Sequence, residues 1–203
     1  MIASCPFHYA GYRSLDEALI ARVIDIFPLA LVTRHGATGV IASHLPLFRS
    51  ADKTLFGHAD RHNPLLGDGE SFEAHVVFMG PASYIPPEAY VNPQLPTWNY
   101  VAVHMTAQVA PIVDDEENFA ILQQTSERLG RRTDSSFMAE RDDPRVVRNL
   151  PGICGLRLTP SHVEGRFKLS QDKPPEDRAA ALAWLLRQPD PEAAALLQTL
   201  LDR

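Results

Sequence analysis

The sequence predicts a mainly β protein with flanking helices (α+β), built around an antiparallel barrel. Four short apolar segments separated by turn residues precede residue 80, which is typical of neighbouring antiparallel strands; they span residues 29–33, 40–48, 54–58 and 72–79. Side chains that alternate in character over residues 98–105 predict a longer strand with two different faces. The chain has 203 residues, 45% of them hydrophobic, which is enough to bury one sizeable core.

The first helix is predicted between residues 14 and 26. Ser14 as N-cap and Glu17 three residues later fit a capping box, and Pro28 ends the helix. Its apolar residues, expected to face the core, are Leu15, Leu19, Val23 and Ile26. The strands that follow, up to residue 48, are expected to form a hairpin with its turn at residues 35–39.

The second half of the sheet is predicted from longer segments. Residues 82–85 continue the sheet, and four prolines make residues 85–96 an irregular loop. A strand then runs over residues 98–113, and a hairpin of residues 153–158 with 162–169 closes the sheet.

The remaining helices are predicted from their capping residues. One helix has Asp114 as N-cap and Glu117 at N3 and runs to about residue 129, and a short helix starts at Asp143-Pro144. A further helix starts at Pro174-Pro175, and an apolar tail helix covers residues 191–201. The residues of the Pro174-Pro175 helix that are expected to face inward are Ala181, Leu182, Leu185 and Leu186. We therefore expect a barrel domain over residues 1–170 and a helical extension over residues 171–203 that packs on the barrel.

The strand at residues 98–105 suggests a recognition face. One face carries Trp98, Tyr100 and His104 around a small alanine, and the other carries Asn99, Val101, Val103 and Met105. Flat rings with polar tips suit a planar ligand or a second subunit. The alternative is an ordinary, half-covered sheet face.

A second candidate site lies at the end of the strand that contains His58. Asn63 as N-cap and Pro64 at N1 would direct backbone N–H groups outward beside Arg61, an arrangement that binds phosphate groups. The alternative is a structural cap with a solvated arginine. A metal site at His58 and His62 is disfavoured because glycine and proline punctuate this segment.

A third candidate site is the polar segment after residue 166. Lys168 and Ser170 share one strand face and Gln171 follows them. A lysine near a flavin pyrimidine edge would favour the anionic reduced form, and the Ser and Gln could bind carbonyl or phosphate oxygens. The alternative is a solvated strand end. His44 and His104 are predicted as half-buried histidines without a catalytic partner.

Composition and motifs exclude several functions. The chain has no Gly-x-Ser-x-Gly, Walker or Gly-x-Gly-x-x-Gly motif, which disfavours hydrolases and nucleoside triphosphatases. A net charge of −6 and the lack of a reading helix make direct DNA binding doubtful. No apolar run is long enough for a membrane span, and two cysteines favour a reducing compartment. We expect a cytoplasmic protein without a metal site.

Five motifs, spread over residues 42–171, together resemble the PaiB-type FMN-binding negative transcriptional regulators, and the likeness extends from about Tyr9 to Trp184. These motifs are Ala42-Ser43-His44-Leu45-Pro46; Gly57-His58 with Asn63-Pro64; Val77-Phe78-Met79-Gly80-Pro81 with Tyr84 and Pro86; Pro96-Thr97-Trp98-Asn99-Tyr100; and Lys168-Leu169-Ser170-Gln171. The resemblance implies a split barrel like that of pyridoxamine-phosphate oxidases, a homodimer, and FMN in a groove between subunits.

The resemblance also implies positions for the cofactor-binding residues. Ser43 and His44 would lie along the flavin; His58, Arg61 and Asn63 near the phosphate; Trp98, Asn99 and Tyr100 at the flavin or the dimer seam; and Lys168, Ser170 and Gln171 at the groove edge. Three features depart from the family pattern: a short loop at residues 90–96, Phe167 in place of Trp, and Asp172 in place of Asn. The aspartate would repel a phosphate unless Lys173 or Arg166 neutralises it.

The predicted function is an FMN-binding regulator that senses a ligand or redox state through its flavin and a partner. Two alternatives stay open. One is a flavin-dependent oxidoreductase of the pyridoxamine-phosphate-oxidase-like group. The other is a binding module for haem or another planar ligand with His104 or His44 as axial ligand. The sequence does not decide whether the protein is an enzyme.

Overall fold

The structure is a computed structural model that describes residues 9–187, and this part of the chain contains one seven-stranded antiparallel sheet. Its strands are β1 (Arg13–Ser14), β2 (Leu29–Gly36), β3 (Gly39–Arg49), β4 (Leu55–Asp60), β5 (Phe72–Ile85), β6 (Thr97–Ile112) and β7 (Ile153–Lys168). The strand order is β1-β7-β4-β3-β2-β5-β6, and β7 also pairs with β6. Six strands therefore close into a barrel, which confirms the predicted mainly β antiparallel fold.

The barrel is split where β3 separates from β4. These strands pair over residues 47–49 and 55–57, and the 3-10 helix Pro64–Leu66 contacts β3. Leu65 and Leu66 are buried in the main core and fill the gap. The close approach needs Gly57, because a Cβ at this position would lie 2.5 Å from the carbonyl oxygen of Pro46. This opening makes the fold a split barrel.

The first hairpin and the extension of β5 confirm the sequence prediction. Strands β2 and β3 pair as far as Gly36 and Gly39, so the turn is tighter than the predicted residues 35–39. Residues 82–85 continue β5 beyond an irregularity between Met79 and Ala82. This irregularity moves the last part of β5 onto a new register against β6.

The predicted hairpin of residues 153–158 and 162–169 is wrong, because both segments belong to the single strand β7. Strand β6 is equally long and pairs with β7 from Tyr100 to Ile112. The polar interruption in β7 falls where the register shifts, so that His162 lies opposite Thr106 and Pro160 opposite Ala107. The residues that suggested a turn therefore form a β-bulge at Ser161 within one continuous strand.

The first helix, α1 (Glu17–Ile26), corrects the predicted cap. The N-cap is Asp16 rather than Ser14, and its carboxylate accepts hydrogen bonds from the backbone N–H groups of Ala18 (2.9 Å) and Leu19 (3.1 Å). Ser14 pairs with β7 in strand β1, so the helix cannot begin there. The predicted inward face is also wrong: Ile20 and Ile24 are buried, whereas Leu15, Leu19 and Ile26 are exposed and Val23 is half-buried.

Helices α2 (Asp115–Thr133) and α3 (Pro144–Asn149) have the predicted N-caps, Asp114 and Asp143. Helix α2 is longer than predicted. Its last turn is held by Arg132, which donates hydrogen bonds to the carbonyl oxygens of Asp25 (2.8 Å) and Ile26 at the end of α1. Phe48 and Phe56 on the outside of the barrel pack in one cluster with Ile121 of α2.

Helix α4 (Pro175–Leu185) packs beside the loop between β5 and β6. Ala181 is buried and Leu185 packs against the same cluster as predicted, but Leu182 and Leu186 are exposed and Trp184 contacts the cluster instead. The predicted tail helix over residues 191–201 lies outside the described residues. No helix within residues 9–187 is long and apolar enough to cross a membrane.

Candidate functional site

Exposed aromatic rings lie beside a lysine where β6 begins and β7 ends. Tyr100 lies opposite Lys168 in the strand register. The Lys168 ammonium group donates a hydrogen bond to the hydroxyl of Thr97 at 2.6 Å. Trp98 is 55% exposed and pairs with Tyr84, which is 47% exposed, with 6.3 Å between the ring centroids. This end of the sheet therefore carries both an exposed, flat apolar surface and a lysine.

Three of the predicted site residues make hydrogen bonds inside the chain. The buried Asn99 amide donates to the hydroxyl of the buried Ser170 at 3.0 Å, and the Tyr90 hydroxyl lies 3.2 Å from the same oxygen. Gln171 donates to the carbonyl oxygens of Gly11 (3.2 Å) and Phe167 (2.5 Å). These contacts fix the turn after β7, in which Ser170 has a φ of 58°, and they hold Lys168 in place.

A cleft of about 310 Å³ opens beside this turn. Its walls include Tyr12, Pro96, Lys168 and Lys173. The ammonium group of Lys173 lies 3.2 Å from the carboxylate of Asp172. This ion pair offsets the negative charge of Asp172, the residue that stands in place of the family's Asn. Burial and the neighbouring Asp172 raise the pKa of the Tyr12 hydroxyl. The Tyr12 hydroxyl therefore stays protonated and donates its hydrogen bond to Asp172.

Ser43 and Asn63 meet at the split in the barrel. The Asn63 side-chain oxygen accepts hydrogen bonds from the Ser43 hydroxyl and the Leu65 backbone N–H, both at 2.9 Å. Arg61 donates to the carbonyl oxygen of Ile153 at 3.1 Å. His58 is half-buried, and burial lowers its pKa. This geometry is that of a satisfied structural cap, the alternative to an anion site.

His44 and His104 share the outer face of the sheet. One row of paired residues crosses five strands and consists of His44, Leu31, Val77, His104 and Glu164. Three strand spacings separate the two histidines, roughly 14 Å. His44 also borders a cleft of about 430 Å³ together with Leu29 and Met79, which are exposed.

A polar cluster that the sequence analysis did not identify surrounds Glu164. This carboxylate is buried and accepts hydrogen bonds from the guanidinium groups of Arg13 and Arg166, both at 2.9 Å. His162 lies 3.5 Å away. Burial alone would raise the pKa of Glu164, but Arg166, His162 and Arg13 together lower it. A buried anion thus ties β1 to β7.

A pair of histidines adjoins this cluster. The Nε2 atom of His75 lies 3.1 Å from the Nδ1 atom of His104. Burial, Arg166 and His75 lower the pKa of His104 to about 4, and burial and Arg166 also lower that of His75. Both imidazoles are therefore neutral near pH 7, which leaves lone pairs for a hydrogen bond or a ligand.

The predicted site residues fall into two groups within one chain. Trp98, Asn99, Tyr100, Lys168, Ser170 and Gln171 gather where β6 meets β7, whereas Ser43, His58, Arg61 and Asn63 gather around β4 and the split of the barrel. His44 stands on the outer face of β3. The structure joins the members of each group but does not bring the groups into one pocket.

The fold and the aromatic, lysine-bearing surface define the class of split-barrel, flavin-binding proteins. The model of the family described as "Putative FMN-binding domain" matches residues 7–175. The chain therefore belongs to this FMN-binding family, and its cofactor is FMN.

Two relatives are similar to this chain over most of its length. The chain is 29% identical over 170 residues to "Protease synthase and sporulation protein PAI 2" of Bacillus subtilis (strain 168), covering 80% of this chain and 81% of the relative. It is 26% identical over 185 residues to "Uncharacterized protein AN0679" of Emericella nidulans, covering 70% and 73% of the two chains. The family model and the Bacillus subtilis relative together confirm the PaiB-type resemblance.

Solved structures share the fold at low sequence identity. A FAD and haem binding protein from Mycobacterium smegmatis aligns with a TM-score of 0.62 and 16% identity, over 84% of this chain and 80% of that one. The flavocytochrome Anf3 from Azotobacter vinelandii also aligns with a TM-score of 0.62, at 14% identity over 91% and 86%. At this identity they establish the barrel topology alone.

Proposed function

We propose that two copies of this chain hold FMN in a slot between them and that the bound flavin serves a regulatory, sensing role. The observation that carries this proposal is an exposed ring near a lysine-lined cleft: Trp98 lies two residues before Tyr100, which pairs with Lys168, and Lys168 lines the cleft. A flat cofactor needs cover on both faces, and large exposed rings are seldom left in water. A second copy would supply the other wall of the slot.

The residues at the β6–β7 end fit the chemistry of FMN. Within residues 9–187 no carboxylate pairs with Lys168, so its charge is available to a phosphate or to an anionic flavin ring. Tyr12 lines the cleft with its hydroxyl hydrogen-bonded to Asp172, and Trp98 offers a flat surface for stacking. When bound, FMN supplies one- and two-electron chemistry that no side chain provides.

The outer face of β2 and β5 supports the proposed homodimer. Leu29 is 57% exposed and Met79 is 49% exposed, and Ile26 at the end of α1 adjoins the same cleft. A contiguous apolar patch on a folded domain is typical of a protein contact. His44 lies in this cleft, so an interface here would place this predicted site residue at the contact between the subunits.

We also propose that the regulatory role does not depend on direct DNA binding. The net charge of −6 opposes a phosphate backbone, and the Bacillus subtilis relative carries a name from protease synthesis and sporulation. A cytoplasmic location belongs to the same proposal. A flavin-dependent oxidoreductase is the second candidate, because the exposed Trp98 and Tyr84 would leave room for a substrate beside the flavin.

The haem alternative has one structural argument in its favour. His104 is neutral and half-buried, as an axial ligand requires. Its Nδ1 atom is already engaged with His75, and His44 is too far away to complete a pair of axial ligands within one chain. A haem-binding chain would therefore use a single histidine or a second copy.

The proposed division into a barrel over residues 1–170 and a helical extension over residues 171–203 is supported by α4. The buried Asp177 accepts hydrogen bonds from the backbone N–H groups of Val91 (2.8 Å) and Asn92 (2.9 Å) and from the Gln94 amide (2.9 Å). Backbone and side-chain bonds to Asn92 and Gln94 outweigh burial and lower the pKa of Asp177. The extension thereby fixes the loop next to the proposed slot.

The test is an absorption spectrum and a light-scattering mass on the purified protein, before and after addition of FMN. We expect a flavin spectrum, a protein-dependent change in flavin fluorescence, and the mass of two chains. A gel shift with DNA should show no tight, salt-sensitive complex, and oxidation of a reduced nicotinamide would favour the oxidoreductase. A colourless monomer that does not bind added FMN would contradict the proposal.

A further inference from the structure

A cavity of about 530 Å³ lies between α1 and one end of the barrel, and none of the residues proposed to hold FMN lines it. Its floor consists of four buried apolar side chains, Ile20, Ile24, Leu55 and Met105. This volume is within the range that small-molecule sites occupy, and an apolar floor is typical of such sites. The exposed Leu15 at its edge extends the apolar wall toward solvent.

The charges at the rim of this cavity are paired. The Lys53 ammonium group lies 2.8 Å from the Glu17 carboxylate, and the Arg49 guanidinium group makes two hydrogen bonds to Asp25, at 2.9 and 2.6 Å. Asp52 accepts hydrogen bonds from the backbone and hydroxyl groups of Thr54. Both cations of the rim already have carboxylate partners and add little attraction for an anionic head, so the rim favours a neutral head.

The remaining polar groups at the rim are hydroxyls and an imidazole. Ser161 donates its hydroxyl proton to the carbonyl oxygen of Thr106 at 3.2 Å, which leaves its oxygen lone pairs as acceptors. Thr159 and His162 lie beside it. These groups suit a hydroxyl or an amide better than an ion.

We propose that this cavity binds a small neutral amphipathic molecule, with its apolar body against Met105 and its polar head at Ser161 and His162. The pair of Lys53 and Glu17 bridges the rim from the β3–β4 turn to α1, and both side chains are 81% exposed. Such pairs contribute little to stability, so the rim opens at low cost. His162 also adjoins Glu164, which places the cavity next to the polar cluster on the outer face of the barrel.

The test is a methyl NMR titration of the full-length protein labelled at its methionine methyl groups, with n-octanol as the probe. Met105 lies in the floor of the cavity, Met79 in the cleft near His44, and Met138 on the surface. We expect a saturable shift of the Met105 signal, assigned with Met105→Leu, and little change at the other two. Octanoate, which has the same number of carbon atoms but a charged head, should bind more weakly.

A filling variant gives an independent check. Ala21 lines the cavity from α1, so Ala21→Leu should weaken n-octanol binding about tenfold by occupying space that ligand carbons would fill. Ala18→Leu, on the exposed side of the same helix, is the matched control and should bind as the unaltered protein does. If Ala21→Leu does not fold, the n-octanol titration of the unaltered protein still tests the proposal by itself.

An unshifted Met105 signal, or equal shifts at all three methionines, would refute a site in this cavity. Octanoate binding as tight as n-octanol binding would refute the neutral head. Because the readout is Met105 and not the flavin, failure here is distinguishable from failure to bind FMN.

Discussion

Lys168 differs from the other two lysines of the chain in what its ammonium group contacts. Lys53 and Lys173 lie within salt-bridge distance of Glu17 and Asp172, whereas Lys168 donates to the neutral hydroxyl of Thr97. A carboxylate partner would offset most of the attraction that a lysine exerts on a bound anion. Of the two lysines that line the β6–β7 cleft, Lys168 is therefore the one whose charge is not offset by a carboxylate.

Replacing this lysine should weaken flavin binding. We expect Lys168→Gln to lower FMN affinity about tenfold or more, because a charge-assisted hydrogen bond is lost. The measurement is a fluorescence titration of flavin-free protein at two salt concentrations. Lys53→Gln, a lysine outside this cleft, is the matched control, and an affinity for FMN that is the same in both variants would remove Lys168 from the site.

His104 gives a prediction about pH. Its pKa is about 4 in the folded protein, below the ordinary value of 6.5. The unfolded chain therefore binds a proton that the folded chain rejects, so this group makes stability fall as pH drops from about 6.5 toward 4. His75 acts in the same direction, while Arg166 and Glu164 face both imidazoles.

Urea unfolding at about pH 7 and pH 5 checks this prediction, because Glu164 has a lowered pKa and stays ionised in that range. His104→Gln should lose less stability on acidification than the unaltered protein. The exposed His35, changed to Gln, serves as the control and should behave as the unaltered protein does. Equal losses in all three proteins would contradict the assignment.

The residue-level prediction was right for the caps Asn63, Asp114 and Asp143, was wrong for Ser14, and missed the cluster at Glu164. His162, Glu164 and Arg166 alternate along one strand, so the sequence carried a signal for a shared face. His75 could not be joined to His104 in the same way, because their contact depends on the β5–β6 register. Such contacts depend on the register of the paired strands, and that register cannot be read from a single sequence.

At the level of elements, α1 shows why an amphipathic pattern is ambiguous. Its apolar residues cover more than one face, and the sequence alone favoured Leu15 and Leu19 over Ile20 and Ile24 for burial. The pairing of Ser14 in β1 explains where the helix starts, because it leaves Asp16 as the N-cap. A tertiary contact thus overrode a local capping signal.

The contact between α2 and β7 gives a prediction for these elements. A Cβ at Gly155 would lie 2.6 Å from a methyl carbon of Ile121 and 2.7 Å from the side-chain oxygen of Asn118, which accepts the Gly155 N–H at 2.6 Å. We expect Gly155→Ala to lower the free energy of unfolding by about 1–3 kcal/mol, as overpacking does.

Chemical denaturation measures this change. The nearby Gly152 is the matched control, since a Cβ there meets nothing within 4 Å. Gly152→Ala should leave the unfolding midpoint near that of the unaltered protein. If Gly155→Ala were equally stable, α2 would not pack on β7 as closely as the structure indicates.

For the molecule as a whole, the sequence predicted the barrel because strand alternation and family motifs agree. It could not show that the predicted cofactor residues divide into two groups, since that separation arises only when the barrel closes. In the proposed dimer, a second chain would bring the two groups of residues together. The oligomeric state therefore decides how the proposed flavin slot is completed.

Disrupting the apolar outer face tests this dependence. We expect Leu29→Glu to convert a dimer into a monomer, because it places a charge in the proposed interface, and to reduce FMN affinity at the same time. Light-scattering mass and FMN titration are the two measurements. Val113→Glu changes a residue that is 76% exposed at the far end of β6 and should affect neither. A Leu29→Glu monomer with unchanged FMN affinity would place the whole flavin site within one subunit.

The hydrogen bond between His75 and His104 on the outer face can run in either direction, because either ring can be the donor. Two neutral rings joined through one hydrogen bond have a single shared proton between the facing nitrogens. If His75 donates, the far nitrogen of His104 carries a proton; if His104 donates, its far nitrogen is a bare lone pair and the far nitrogen of His75 is protonated. A molecule settling on this surface would therefore select one tautomer at both histidines together.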